Sequence, residues 1–246
     1  MAVLAVEHLS KAYDGVQALR GVSFAVEAGE LVALIGPNGA GKTTCFNLIN
    51  GQFRPDAGEI RLEGSSLVGR APREVWRLGV GRTFQVAATF ASMTVRENAQ
   101  VALLSHRRML NSFLKRASDL LVEDADRLLR QVGIAEHAER VCGELAYGDL
   151  KRVELALALA HRPRLLLMDE PTAGMAPEER KQMMSLAAGL ARSERLAVLF
   201  TEHDVDVVFG FADRIIVLHA GEVIAAGTPA EVRGNPRVRE VYLGDV

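Results

Sequence analysis

The 246-residue sequence has few cysteines, few aromatic residues and almost no net charge. Cys45 and Cys142 have no second cysteine or histidine at metal-ligand spacing, so we expect two small buried side chains rather than a metal site. Lys plus Arg number 29 and Asp plus Glu number 31, which gives a formal net charge of -2. Because this balance leaves no overall basic field, we expect no nucleic-acid partner.

Long apolar runs are also missing. Residues 155–160 and 165–168 are among the longest runs, whereas crossing a bilayer takes about 20 apolar residues. The amino terminus lacks the basic and hydrophobic regions of a secretory signal, so we expect a cytoplasmic location. Hydrophobic residues nevertheless make up 49% of the chain, which allows a large buried core and excludes disordered and fibrous proteins.

Short apolar runs alternate with helical patterns along most of the chain. The runs, each bounded by polar or turn residues, are 31–35, 165–168, 197–200 and 215–218. Continuous runs of this length are typical of strands buried on both faces of a parallel sheet. The segments with helical periodicity are 43–50, 122–132, 150–160 and 178–191. The alternation predicts an α/β fold.

Two parts of the chain depart from this alternation. Residues 5–9 and 22–26 alternate between apolar and polar as antiparallel strands do, which predicts an antiparallel β subdomain. Residues 91–160 contain helical patterns and no strand-like run, which predicts an inserted α-helical subdomain. The predicted organisation is one domain, 1–246, with a core lobe formed by 1–90 and 161–246 and a helical subdomain formed by 91–160.

A phosphate-binding loop follows the first apolar run. It reads Gly36-Pro37-Asn38-Gly39-Ala40-Gly41-Lys42-Thr43-Thr44 and fits G-x-x-x-x-G-K-[ST] between a predicted strand and a predicted helix. The glycines let successive backbone NH groups point at an anion, Lys42 adds a charge at the β- and γ-phosphates, and Thr43 offers a hydroxyl to Mg²⁺. The alternative, a glycine turn with an idle lysine, explains less of the pattern.

An acidic pair ends the second apolar run. Asp169 stands at the carboxyl end of a predicted buried strand, near the phosphate loop across the sheet, where it can bind Mg²⁺ through water. Glu170 comes next and can accept a proton from the water that attacks the γ-phosphate. Alone, such a pair is as often a solvated strand end, but beside the phosphate loop a functional role is favoured.

With these motifs in place, the whole chain resembles the ATP-binding subunits of ABC transporters. The family's signature sequence corresponds to Leu145-Ala146-Tyr147-Gly148-Asp149, and its D-loop corresponds to Ala173-Gly174-Met175-Ala176. Gln85 matches the Q-loop glutamine, His203 the switch histidine, and Tyr13 the aromatic residue that stacks on adenine. The resemblance implies a P-loop NTPase core of RecA-like type, an antiparallel β subdomain, and ATP hydrolysis with Mg²⁺.

The resemblance also implies residue roles. The expected catalytic residues are Lys42, Gln85, Glu170 and His203. Mg²⁺ would be bound by Thr43, Gln85 and Asp169, and ATP by Tyr13 together with the phosphate loop, residues 36–44. Each assignment has an alternative: Tyr13 could be a core aromatic, Gln85 an exposed amide and His203 a structural or surface histidine.

The signature departs from the general family form, because Ala146, Tyr147 and Asp149 replace a serine, a glycine and a glutamine. Without the serine hydroxyl, the contact to γ-phosphate would depend on backbone NH groups at the helix amino terminus, including that of Gly148. The site could be degenerate, but the same variant is usual in the branched-chain amino acid transport subfamily, which the chain also resembles in its phosphate loop and its tail.

The family mechanism implies partners. One copy of each motif cannot close a site alone, so we expect a second ATP-binding subunit, in a homodimer or a heterodimer, whose signature caps the ATP. We further expect two membrane permease subunits at the cytoplasmic face of the inner membrane and, indirectly, a substrate-binding protein. The cargo stays open between branched-chain amino acids, urea or amides, and aromatic acids.

Three other functions are weighed against amino acid import. A lipopolysaccharide-export ATPase has a similar tail but a signature nearer the general form. A soluble ABC ATPase of translation or DNA repair commonly has two fused cassettes or a long coiled coil, which this chain does not show. A non-hydrolytic nucleotide sensor is disfavoured by the presence of Asp169, Glu170 and His203.

Overall fold

Two β-sheets organise the computed structural model, which describes residues 2–83, 89–107 and 121–243. The strands of the first sheet are β1 (Ala2–Tyr13), β2 (Val16–Glu27), β4 (Ala57–Leu62) and β5 (Ser65–Ser66). They are antiparallel and lie in the order β2-β1-β4-β5. This sheet is the predicted antiparallel β subdomain, with strands several residues longer than the sequence pattern indicated.

The second sheet has six strands among the described residues. They are β3 (Leu31–Ile35), β6 (Val80–Thr83), β7 (Leu165–Asp169), β8 (Ala197–Thr201), β9 (Arg214–His219) and β10 (Glu222–Gly227). The order is β10-β9-β3-β8-β7-β6, and all neighbours are parallel except β10 and β9. Because β3, β8 and β7 are adjacent, the chain segments that follow their carboxyl ends meet at one edge of the sheet.

The strands of the second sheet are buried on both faces, as their apolar runs predict. All five residues of β3 have no exposed surface. Leu31, Ala33 and Ile35 pack in a core with the helices, whereas Val32 and Leu34 pack in a second core with the antiparallel sheet. This two-sided burial accounts for much of the high apolar content of the sequence.

Most helices lie between strands, and the last two follow β10. They are α1 (Lys42–Ile49), α2 (Pro72–Leu78), α3 (Val95–His106), α4 (Val122–Gln131), α5 (Tyr147–Leu159), α6 (Pro177–Glu194), α7 (Val205–Phe211), α8 (Pro229–Gly234) and α9 (Pro236–Val238). A capping box begins α3, because the Thr94 hydroxyl accepts from the Glu97 amide and the Glu97 carboxylate accepts from the Thr94 amide.

The predicted α/β fold with an antiparallel sheet and an inserted helical segment is confirmed. Between residues 91 and 160, the described part of the chain consists of helices and connecting loops, with one isolated bridge between Thr94 and Val141 and no strand. The sequence pattern missed the strands β4, β5, β6 and β10 and the helices α2, α7, α8 and α9, and it began α5 three residues late. None of the helices in the described residues is both long and apolar enough to span a bilayer.

An aromatic cluster joins the helical segment to the sheet region. His161, in the turn after α5, lies against Trp76 of α2 with ring centroids 4.5 Å apart. The ring of His106, at the end of α3, lies 5.7 Å from that of Trp76 and 6.2 Å from that of His161. His161 is buried, and this burial, with the nearby His106, lowers the pKa of its imidazole to about 4.

Candidate active site

The phosphate loop joins the end of β3 to the start of α1 and requires glycine at two positions. Gly36 has φ 147°, and a Cβ there would lie 2.0 Å from the Leu218 carbonyl oxygen. Gly41 has φ 107° and caps α1, and its Cβ would lie 2.6 Å from the Ala18 carbonyl oxygen. The strands that flank the loop therefore approach its backbone so closely that side chains are excluded.

The rest of the loop is a turn with an open outer side. Ala40 is buried, and its amide donates to the Pro37 carbonyl over 3.1 Å, whereas Asn38 and Gly39 are exposed. At the start of α1, the side chain of Thr43 is exposed and that of Thr44 is partly buried. The first turn of a helix presents backbone NH groups that lack intrahelical partners, which suits this end of the loop to an anion.

Lys42 is folded into this loop. Only 8% of the residue is exposed, and its Nζ donates to the carbonyl oxygens of Gly36 (2.7 Å) and Pro37 (3.2 Å). Burial lowers the pKa of the ammonium group, and the negative charges of Glu170 and Asp169 partly oppose that shift. The predicted lysine and both predicted carboxylates are thus close enough to interact electrostatically.

Asp169 ends β7 between two donors. Its Oδ1 accepts from the Thr201 hydroxyl of β8 over 2.8 Å, and its Oδ2 accepts from the Arg82 guanidinium over 3.1 Å. Arg82 also donates to Oδ1 of Asn47 in α1 over 2.8 Å, and its side chain is only 7% exposed. Arg82 therefore links the strand that carries Asp169 to the helix that begins with Lys42, a role that the sequence reasoning missed.

Glu170 is held by backbone and side-chain contacts at the turn after β7. It has φ 49°, a left-handed conformation that is uncommon for a residue with a side chain. Its amide donates to the Thr201 carbonyl (3.2 Å) and hydroxyl (3.1 Å). Its Oε1 lies 2.8 Å from Nε2 of His203, so the structure brings the predicted base and the predicted switch histidine into direct contact.

A buried carboxylate, Glu202, joins the segment that follows Glu170 to His203. Its Oε1 accepts from the amide and the hydroxyl of Thr172, two residues after Glu170, and its Oε2 accepts from the His203 amide (3.0 Å). Only 3% of Glu202 is exposed. The sequence reasoning did not single out Glu202, although its place between a predicted buried strand and the candidate histidine was an available signal.

Tyr13 lies at the end of β1 and is 37% exposed, so the alternative that it is a core aromatic is wrong. Its ring makes an edge-to-face contact with Phe53, at 5.7 Å between centroids. Gln85, predicted to serve both catalysis and Mg²⁺, lies outside the described residues and stays a prediction.

The signature residues begin α5. Ala146 occupies the N-cap position and is exposed, and no side chain caps this end of the helix. Tyr147 is 45% exposed and lies against the Gly174 backbone of the D-loop. Asp149, in the first turn, has an oxygen 3.5 Å from Nε2 of His137. The uncapped amides and the exposed Ala146 and Tyr147 leave this helix end accessible from outside the chain.

The donor set fits magnesium bound together with phosphate. Mg²⁺ prefers oxygen ligands and usually combines one or two protein oxygens with water and substrate phosphates. Thr43 offers a hydroxyl and Asp169 a carboxylate with lone pairs beyond its two hydrogen bonds. In the part of the chain that is described, no three His, Cys, Asp or Glu side chains converge as a self-sufficient metal cage.

Two family models match the sequence. Residues 19–173 match the family model described as ABC transporter, and residues 222–246 match the model described as branched-chain amino acid ATP-binding cassette transporter. The chain belongs to the ABC transporter ATP-binding family. The cassette therefore binds and hydrolyses ATP, and the phosphate loop and the acidic pair lie within the matched residues 19–173.

Curated relatives align with the cassette along its length. BraF of Pseudomonas aeruginosa, a high-affinity branched-chain amino acid transport ATP-binding protein, is 39% identical over 252 positions, covering 99% of this chain and 98% of that protein. LivG of Escherichia coli strain K12, which carries the same description, is 39% identical over 251 positions with the same coverage.

Solved cassettes share the fold. The ADP conformation of an ATP-binding cassette of an ABC transporter superposes with a TM-score of 0.87 at 30% identity and covers all of both chains. A dimeric cassette in a post-hydrolysis state, bound to ADP and phosphate, superposes with a TM-score of 0.77 at 25% identity, covering 92% of this chain and 98% of that one.

Proposed function

We propose that the cassette is the energy-coupling subunit of an importer of amino acids, with branched-chain amino acids as the first candidate cargo. The observation that carries this proposal is the alignment of 99% of the chain with proteins described as high-affinity branched-chain amino acid transport ATP-binding proteins. The separate match of residues 222–246 to a branched-chain amino acid cassette model supports the same cargo.

In the proposed reaction, Lys42 exchanges its two loop carbonyls for oxygens of the β- and γ-phosphates. That exchange satisfies a buried ammonium group with anions instead of dipoles, which is a stronger interaction. Mg²⁺, held by Thr43, Asp169 and Gln85, would neutralise phosphate charge. Thr201 and Arg82 fix the Asp169 carboxylate, so it need not reorganise when nucleotide binds.

Glu170 is the proposed general base. The carboxylate accepts the proton of the water that attacks the γ-phosphate. For this role it must lie beside the phosphate that Lys42 holds. His203 contacts Glu170, and its side chain is 48% exposed. His203 then turns toward the γ-phosphate as ATP is enclosed, and releases Glu170 to bind water.

A second cassette completes each site in this proposal. The uncapped amides at the start of α5, flanked by the exposed Ala146 and Tyr147, face a γ-phosphate held by the other subunit, with the backbone NH of Gly148 among the donors. The Asp149 carboxylate lies 3.5 Å from His137 Nε2, at the side of the helix. The dimeric form of the related cassette bound to ADP and phosphate supports assembly in pairs.

The membrane partner is proposed to bind near β6. A cavity of about 380 Å³ lies there and is lined by Trp76 of α2, by Val80 and Arg82 of β6, and by Leu157 of α5, among others. A permease segment seated in it would contact both the sheet region and the signature helix, and could receive motion from each. In this proposal the cassette works at the cytoplasmic face of the inner membrane, with a substrate-binding protein beyond the permeases.

Transport assays test the proposal. Cells that lack the native copy are complemented with the wild-type cassette or with Glu170→Gln, and uptake of labelled leucine is measured beside uptake of urea and an aromatic amino acid. We expect cells complemented with the wild-type cassette to import leucine and those with Glu170→Gln not to do so. We also expect the cassette to co-purify with hydrophobic membrane subunits. Restoration of urea or aromatic acid uptake instead, or co-purification with ribosomes or DNA, would assign a different cargo or class.

A further inference from the structure

Two exposed aromatic rings lie side by side at the end of β1. Tyr13 is 37% exposed and Phe53 is 46% exposed, and their ring planes meet at 76°. Exposed aromatic surface of this kind is stabilised when a planar, apolar ligand covers it.

Hydrogen bonds and backbone packing connect the segments that carry Tyr13 and Phe53 to the phosphate loop. Phe53 follows α1, and its amide and that of Gln52 donate to the Asn47 carbonyl over 3.4 and 2.9 Å. The helix that begins with Lys42 therefore also positions the Phe53 backbone. β1, which carries Tyr13, is also connected to this loop, because it pairs with β2 and the Ala18 carbonyl of β2 lies against Gly41.

Asp56 holds the two segments together. Its carboxylate accepts from Lys11 Nζ (2.8 Å) and from the Ala12 amide (2.7 Å), the two residues before Tyr13. Its own amide donates to the Ser10 carbonyl over 2.9 Å. These three bonds fix the chain that carries Phe53 against the strand that carries Tyr13.

The surroundings of Tyr13 leave a defined place for a base. Lys11 Nζ lies 5.5 Å from the ring centroid on one face, and Phe53 contacts the ring in edge-to-face geometry. A purine would stack on the face opposite Lys11. We propose that Phe53 is a positioning residue for the nucleotide base, which orients the Tyr13 ring so that the adenine of ATP stacks on it.

This inference rests on the proposed ATP site and adds a residue to it. Because Phe53 acts through Tyr13, its contribution is limited to what an aromatic pair supplies, about a 2- to 10-fold change in affinity. The contribution must also depend on the presence of a base in the ligand. A general structural role of Phe53 would instead alter binding of any triphosphate, because Phe53 follows the helix of the phosphate loop.

Equilibrium binding of two probes to the full chain tests the inference. With Mg²⁺ present, ATP is compared with inorganic tripolyphosphate, which has no base. We expect Phe53→Ala and Phe53→Leu to weaken ATP about 2- to 10-fold and to leave tripolyphosphate unchanged. Phe53→Tyr should restore ATP affinity, and Phe90→Ala, at another exposed phenylalanine (56%), should change neither.

A double-mutant cycle completes the test, since Phe53→Ala should have no further effect on ATP in a Tyr13→Ala background. Unchanged ATP affinity in both Phe53 variants, equal weakening of both probes, or the same penalty without Tyr13 would each overturn the inference. Failure of the wild-type chain to bind either probe would instead refute the ATP site on which the inference rests.

Discussion

Acidification should destabilise the cassette through His161. Its residue is 6% exposed, and burial, with the charge of His106 second, lowers the pKa of the imidazole from 6.5 to about 4. The unfolded chain therefore binds a proton near pH 6.5 that the folded chain binds only near pH 4. Stability from this group is complete above pH 6.5 and is lost as the pH falls toward 4.

The size of the effect follows from these two values. At pH 5 the imidazole is charged in the unfolded chain and mostly neutral in the folded one, which lowers the free energy of unfolding by about 2 kcal/mol relative to pH 7. His161→Phe keeps a ring against Trp76 but removes the titrating group. The variant should therefore lose about 2 kcal/mol less than the wild type between these pH values.

Urea unfolding at pH 7 and pH 5 measures this difference. Trp76 is the only tryptophan in the chain and reports on the cluster directly, while circular dichroism checks that both probes give one transition. His8→Asn, at an exposed position, controls for the loss of an imidazole. Equal loss of stability in the wild type and in His161→Phe would refute the reasoning.

Two further predictions concern the site. Gly36→Ala should abolish ATP binding, measured by calorimetry, because its Cβ would lie 2.0 Å from the Leu218 carbonyl oxygen, whereas Gly64→Ala, with φ 82° and open space, should keep binding and cost about 1 to 2 kcal/mol. Arg82→Met should cost about 3 to 5 kcal/mol in urea unfolding, because it removes one member of an ion pair whose arginine side chain is only 7% exposed. Arg192→Met, at an arginine side chain that is 67% exposed, should cost under about 1 kcal/mol, and equal losses in the two arginine variants would contradict the importance of burial.

The buried strands were predictable because their surroundings are uniform. The run 31–35 coincides with β3, and β7, β8 and β9 each differ from their predicted runs by one or two residues at the ends. β6 was not predictable, because Val80–Thr83 contains a glycine and an arginine and shows no alternation. Its strand conformation is fixed by parallel pairing with β7, about 85 residues later in the chain, which local patterns do not report.

Some residues of the candidate site were likewise predictable from local sequence, and others were not. Lys42, Asp169 and Glu170 follow from motifs with fixed local spacing, and the structure brings them together. Arg82 and Glu202 were missed because their partners are distant in sequence: Arg82 contacts a carboxylate 87 residues away, and Glu202 a threonine 30 residues away. Neither residue type is diagnostic alone, so only the folded arrangement identifies these supporting contacts.

The role of Glu170 is the most direct test of the hydrolysis mechanism. With the membrane partners present, Glu170→Gln should lower the ATPase rate about 10²- to 10⁴-fold, because it removes the proton acceptor. Binding of ATP should be retained, since Lys42 and Asp169 are unchanged. Glu178→Gln, at an exposed carboxylate eight residues later in the chain, should keep full activity. Undiminished hydrolysis by Glu170→Gln would contradict the account.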